Sequence, residues 1–275
     1  MPVSRFTYGA SLLPRHRFIP RVQQLRGGGN SMGADGDAIT EEQAGEELIK
    51  AASTNNVDVL DPPGIEILVS SGAPVNYQDM WKRTPLHYAA REGHVHACTR
   101  LVEVGGDLSA EDFLGRTPLH MAARKGFAPA VQVLAQLGSD LNHPDKNPWP
   151  NNSGRTPMHW ACYKGHAEVV WRLCEAGANK EARDALGRTP LHWAARRGNT
   201  DCVQVLLFLG ADYGAVDNKR LTPINLAGAA PKESRAYDML HQALTRGIRP
   251  AGLPTFAPPP APAKPPAPAQ PAPTP

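Results

Sequence analysis

Along residues 84–228, apolar and polar positions recur in a fixed order. "TPLHYAA" at 84–90 opens a short apolar stretch that closes at Gly93. A second segment then places apolar residues at helical spacing and ends at another glycine, Gly105. The order returns with "TPLHMAA" at 117–123, "TPMHWAC" at 156–162, "TPLHWAA" at 189–195 and "TPINLAG" at 222–228, at intervals of 33, 39, 33 and 33 residues. Each threonine stands where an N-cap hydroxyl answers an orphan backbone N–H. The proline after it takes the first helical position, where no hydrogen bond is lost. Gly93, Gly126, Gly165 and Gly198 then suit left-handed caps. A second apolar helix follows, as in "AEVVWRLCEAG", and "NKEARDALGR" forms the turn to the next threonine. The pattern predicts a unit of two helices and a protruding hairpin loop, which cannot bury its apolar faces without a neighbour.

Five in-register copies of TPLH-like heptads, most with two glycines per unit, resemble the ankyrin repeat family. The resemblance covers about residues 45–247 and implies an all-α solenoid of about six stacked repeats with atypical ends. The first unit reads "EELIKAAS" and "IEILVSSGAPVN"; the last replaces the histidine by Asn225 and carries the polar "APKESRAYDMLHQALTRG". Outer units face water on one side, so departures are expected there. Residues 1–44 are expected to be a disordered, Arg-bearing extension and residues 248–275 a disordered Pro/Ala-rich tail.

Composition changes this picture mainly at the ends. The chain has 275 residues and a net charge of +3, yet residues 40–247 hold 22 basic and 24 acidic residues. Residues 1–31 carry five arginines and no acid, which fits a transit peptide, a disordered arm or an extension upstream of a second start at Met32. The tail holds twelve prolines and suits either a polyproline-like spacer or a ligand for a proline-recognising module. Cys98, Cys162, Cys174 and Cys202 sit singly at apolar positions, as small hydrophobes of a reducing compartment do. No apolar run reaches the roughly 18–20 residues of a membrane span. Location in the cytoplasm or nucleus is expected, with organelle targeting by residues 1–31 as the other course.

The recurring His87, His120, His159 and His192 invite a metal or acid–base role. In stacked repeats of the resembled family they would stand one repeat apart as a ladder, unable to converge on one ion. Bonding to the adjoining hairpin is their expected task. No phosphate loop, nucleophile elbow or carboxylate pair is present in the sequence, so neither an enzyme nor a cofactor is expected.

Function is then expected on the variable surface. In the resembled family, partners meet the hairpin tips and the ends of the first helices, which form a concave face. Carried over residue by residue, that surface offers Trp81, Phe113, Leu114 and Lys219 at tips, and Arg91, Arg124, Lys125, Tyr163, Lys164, Arg196 and Arg197 at helix ends. Among the carried-over positions only Glu92 is acidic. The arginines before TP (Arg83, Arg116, Arg155, Arg188) recur for structural reasons and count for less, and Asp79, Asp112, Asp184 and Asp217 neutralise part of the field. The 39-residue interval adds six residues to one hairpin, "NHPDKNPWPNNSGR", with Trp149 between two prolines. It either folds back on the neighbouring hairpin or stands out as an interface anchor. The expectation is a non-enzymatic adaptor that binds an acidic protein partner. The alternative is a nucleic-acid-associated or transcription-regulatory factor using the same stripe.

Overall fold

The computed structural model describes residues 40–54, 63–70, 72–148, 153–227 and 235–247. Among these residues the chain forms twelve helices, arranged as six consecutive pairs: α1 (Glu41–Ser53), α2 (Pro63–Ser70), α3 (Pro85–Glu92), α4 (Val95–Glu103), α5 (Pro118–Lys125), α6 (Ala128–Gln136), α7 (Pro157–Lys164), α8 (Ala167–Glu175), α9 (Pro190–Arg197), α10 (Thr200–Phe208), α11 (Pro223–Ala227) and α12 (Arg235–Arg246). The first helix of each pair packs on the first helices of its neighbours, and the second helices stack likewise, giving two parallel layers. Between the layers lie Leu86, Leu119, Met158 and Leu191 from one side and Leu101, Leu134, Leu173 and Leu206 from the other, all fully buried. Ala89, Ala122, Ala161 and Ala194 are also fully buried, and their small side chains let successive inner helices approach closely. Burial pushes the Cys98 thiol up to about 12 and that of Cys174 to about 11, so both stay protonated as packing groups.

The inner helices start where the heptads start. Thr84, Thr117, Thr156 and Thr189 are extended N-cap residues, and proline follows each. α1 begins earlier than the apolar pattern suggests, at Glu41. Thr40 and Gln43 close a capping box there: the Gln43 backbone N–H donates to Thr40 Oγ1 at 3.2 Å and the Thr40 N–H to Gln43 Oε1 at 3.0 Å. α7 ends at Gly165, whose φ of 89° is strained for any residue bearing a Cβ. A Cβ at Gly165 would also stand 3.1 Å from the Asn199 amide, which donates to the Cys162 carbonyl at 2.7 Å. Gly165→Val is therefore expected to cost about 1–2 kcal/mol or more. A thermal melt unchanged by the substitution would contradict the cap.

The fingers between units share one base. In the second finger the Asp112 N–H donates to the Arg116 carbonyl at 2.9 Å, and the Gly115 N–H to the Asp112 carbonyl at 2.8 Å. Asp112 Oδ1 meanwhile accepts the Leu114 and Arg116 N–H groups. The long third finger closes with the same pair of bonds between Asp145, Gly154 and Arg155, so its six extra residues enter without altering the base. The first and last fingers place Lys82 (φ 57°) and Arg220 (φ 59°) where the others have glycine. One backbone bond ties each finger to the next: Phe113 N–H to Trp81 O, Lys146 to Leu114, Ala185 to Ser153 and Asn218 to Leu186.

Candidate protein-binding face

The histidines join repeat to repeat. The backbone N–H and the hydroxyl of Thr84 converge on His87 Nδ1, at 3.1 and 2.9 Å, so the ring proton sits on Nε2. Nε2 then donates to the Arg116 carbonyl in the next finger at 2.9 Å. The same bridge runs from His120 to Arg155, His159 to Arg188 and His192 to Leu221, at 3.0, 2.9 and 3.0 Å. Both ring nitrogens of each histidine are thus engaged by the protein. Desolvation holds all four in the neutral form, with His120 pushed down to about 3 and His159 to about 4. Asn225, in the histidine position of the last unit, accepts the Thr222 N–H and hydroxyl through Oδ1, at 2.9 and 2.6 Å. His166 also serves structure, with Nε2 3.1 Å from the Arg124 carbonyl.

The residue four places after each threonine decides what the finger aspartate does. Tyr88 donates its hydroxyl to Asp79 Oδ2 at 2.6 Å. Trp160 and Trp193 donate their indole N–H to Asp145 and Asp184 at 3.0 and 2.8 Å. Met121 and Leu226 have no such donor. There the second carboxylate oxygen takes an arginine instead: Arg116 with Asp112 at 2.6 Å, and Arg188 with Asp217 at 3.3 Å. Arg116, Arg155 and Arg188 are buried, in keeping with a structural role for the arginine before TP.

Two adjoining grooves of about 440 and 430 Å³ open along the ends of the inner helices. Arg91, Arg124, Lys125 and Lys164 line the first, with Arg83, Met121 and His166. Arg124 and Lys164 continue into the second, which adds Tyr163, Arg196 and Arg197 beside Arg155, Trp160 and Trp193. Tyr163 stands edge-on between Trp160 and Trp193, with ring centroids 5.8 and 5.6 Å away. Cations lie over this aromatic row: Arg155 at 4.1 Å and Arg196 at 5.2 Å from Trp193, Arg197 at 4.8 Å from Tyr163, and Arg124 at 5.5 Å from Trp160. Among the described residues, Arg124, Lys125, Lys164, Arg196 and Arg197 enter no ion pair. Arg91 is paired with Glu92 at 3.4 Å. Arg124 Nε is buried with no hydrogen-bond partner. Burial first, then the charges of Arg116, Arg91 and Arg83, disfavour its cation.

The structure thus brings seven of the sequence-derived residues onto one face. Trp81 and Phe113 stand on neighbouring finger tips, 53% and 63% exposed, next to Met80 at 84%. Leu114 is partly buried, and Lys219 is exposed on the last finger but lines neither groove. Trp149, residues 1–31 and the tail 248–275 lie outside the described residues. Trp160, Trp193 and Arg155 were legible as buried or structural positions only; their second role as groove wall depends on the stacking of one repeat against the next. No helix of the described residues is long and apolar enough to cross a membrane.

No curated protein significantly matches the chain. Residues 48–145 and 142–217 match the family model described as "Ankyrin repeats (3 copies)". With that match spanning more than half of the sequence, and with four histidine bridges joining five successive fingers, the chain belongs to the ankyrin repeat family.

Proposed function

We propose that this protein is a non-enzymatic adaptor whose grooved face holds an acidic protein partner. Ankyrin repeats generally mediate protein–protein interaction, and the sequence places no catalytic constellation beside the repeats. The observation that carries the acidic partner is the row of cations left without ion pairs across three successive repeats. Arg124, half-buried and repelled by neighbouring arginines, gains most from a ligand that brings negative charge.

The double substitution Arg124→Glu and Lys125→Glu is expected to slow association with a partner captured from the native cell, with an effect that fades as salt rises. An unchanged association rate at low salt would remove the groove from the interface. A nucleic-acid partner would instead show steep salt dependence of equilibrium affinity. Trp149, on the inserted finger, is proposed as an anchor. Trp149→Ala is expected to weaken binding by about 2 kcal/mol and to change stability by no more than about 0.5 kcal/mol. Intact affinity in that variant would make the insertion a plain long loop.

A further inference from the structure

The cations nearest the grooves are in register. Lys125, Lys164 and Arg197 each precede the glycine that caps an inner helix, and all three are exposed. The equivalent residue one repeat earlier is Glu92, so the row of charge ends there. Because α5, α7 and α9 pack directly side by side, equivalent positions recur at the spacing of packed helices, about 8–10 Å.

A flexible acidic chain could meet such a row in many ways, but one backbone conformation matches its period. A polyproline II helix has three residues per turn and rises about 3.1 Å per residue, so every third side chain falls on one face about 9.3 Å apart. A β-strand presents same-face side chains about 6.6–6.8 Å apart, out of step with the cations. A second match is Tyr163, half-buried between the buried rings of Trp160 and Trp193, since proline-rich helices pack on aromatic side chains. We infer that the partner element is a proline-containing polyproline II segment with an acidic side chain at every third position, crossing the ends of α5, α7 and α9. The inference rests on the acidic-partner reading above and specifies its geometry. Residues 248–275 of the same chain have the prolines but carry only Arg249 and Lys264 as charges, so they lack the acids this row requires.

The test uses the full chain and two synthetic proline-rich peptides of identical composition. One has three glutamates at every third position; the other has the same glutamates adjacent to one another. Fluorescence anisotropy is expected to show at least about tenfold tighter binding of the in-register peptide, since each lost charge contact costs part of a factor of ten. Lys164→Glu and, separately, Arg197→Glu should abolish that preference, with an unchanged melting temperature showing that each variant is folded. Equal affinity of the two peptides overturns the register and leaves the acidic-partner reading standing. Failure of both peptides to bind, or tighter binding of a single-stranded oligonucleotide, overturns both.

Discussion

Acidification from pH 7 to pH 5 is expected to remove about 4 kcal/mol of folding stability through two histidines alone. His120 and His159 are fully buried and take up protons in the folded state only near pH 3 and 4, against an ordinary value of 6.5. Burial is the main cause, and the hydrogen bonds explain why the structure does not relax. Nδ1 already receives donors from the threonine, so a proton placed there would face an N–H and an O–H. The unfolded chain has no such constraint and protonates as pH falls through 6.5. Below that value the unfolded state binds more protons than the folded one, and stability drops until the folded pKa is reached. At pH 5 the loss is about 2 kcal/mol per histidine, a large share of the 5–15 kcal/mol typical of a whole domain. His87 and His192 are shifted in the same direction and add to it. Urea unfolding at pH 7, 6 and 5 would read this directly, and a flat profile across that window would contradict the neutral ladder.

His159→Ala should be the most damaging single substitution discussed, at about 4 kcal/mol or more. It empties a fully buried site and leaves the Thr156 N–H and the Arg188 carbonyl unpaired at once. The last repeat supplies its own control. Asn225 caps Thr222 through Oδ1 where the other units use Nδ1. His159→Asn is therefore expected to keep the cap and lose the reach to Arg188, at roughly half the cost of the alanine variant. It should also weaken the acid sensitivity, because one titrating group is gone. Denaturant midpoints that rank alanine at or above asparagine would mean that the threonine cap is not what the histidine supplies.

The helix caps were legible in the sequence because each depends on residues a few places apart, and the period and the ladder because the same residues return every 33 or 39 positions. The first helix was placed too late, because the apolar pattern begins at Leu48 while the "TEEQ" capping box that starts it carries no apolar residue. Asp145 was missed among the finger aspartates because the insertion separates it from Arg155 by ten positions instead of four. The pairing of Trp160 with Asp145 and the row of rings across α7 and α9 depend on contacts between units, which spacing along one unit does not encode. The basic stripe was visible residue by residue. Which of its cations enter no ion pair among the described residues followed only from the three-dimensional arrangement.

The third finger shows how such a chain can change one exposed loop without disturbing its neighbours. Lengthening a closed loop costs only about 0.6 kcal/mol for each doubling. The bonds at its base and to the fingers on either side are those of the shorter versions. In a globular core, six added residues would displace neighbours in every direction. In a linear array each finger answers to one backbone bond per side, so its length can drift, be selected or be engineered while the rest of the molecule stays fixed. Grafted recognition sequences between Lys146 and Ser153 would inherit a rigid mount, and a descendant of this chain could acquire a new ligand there by changing a single turn.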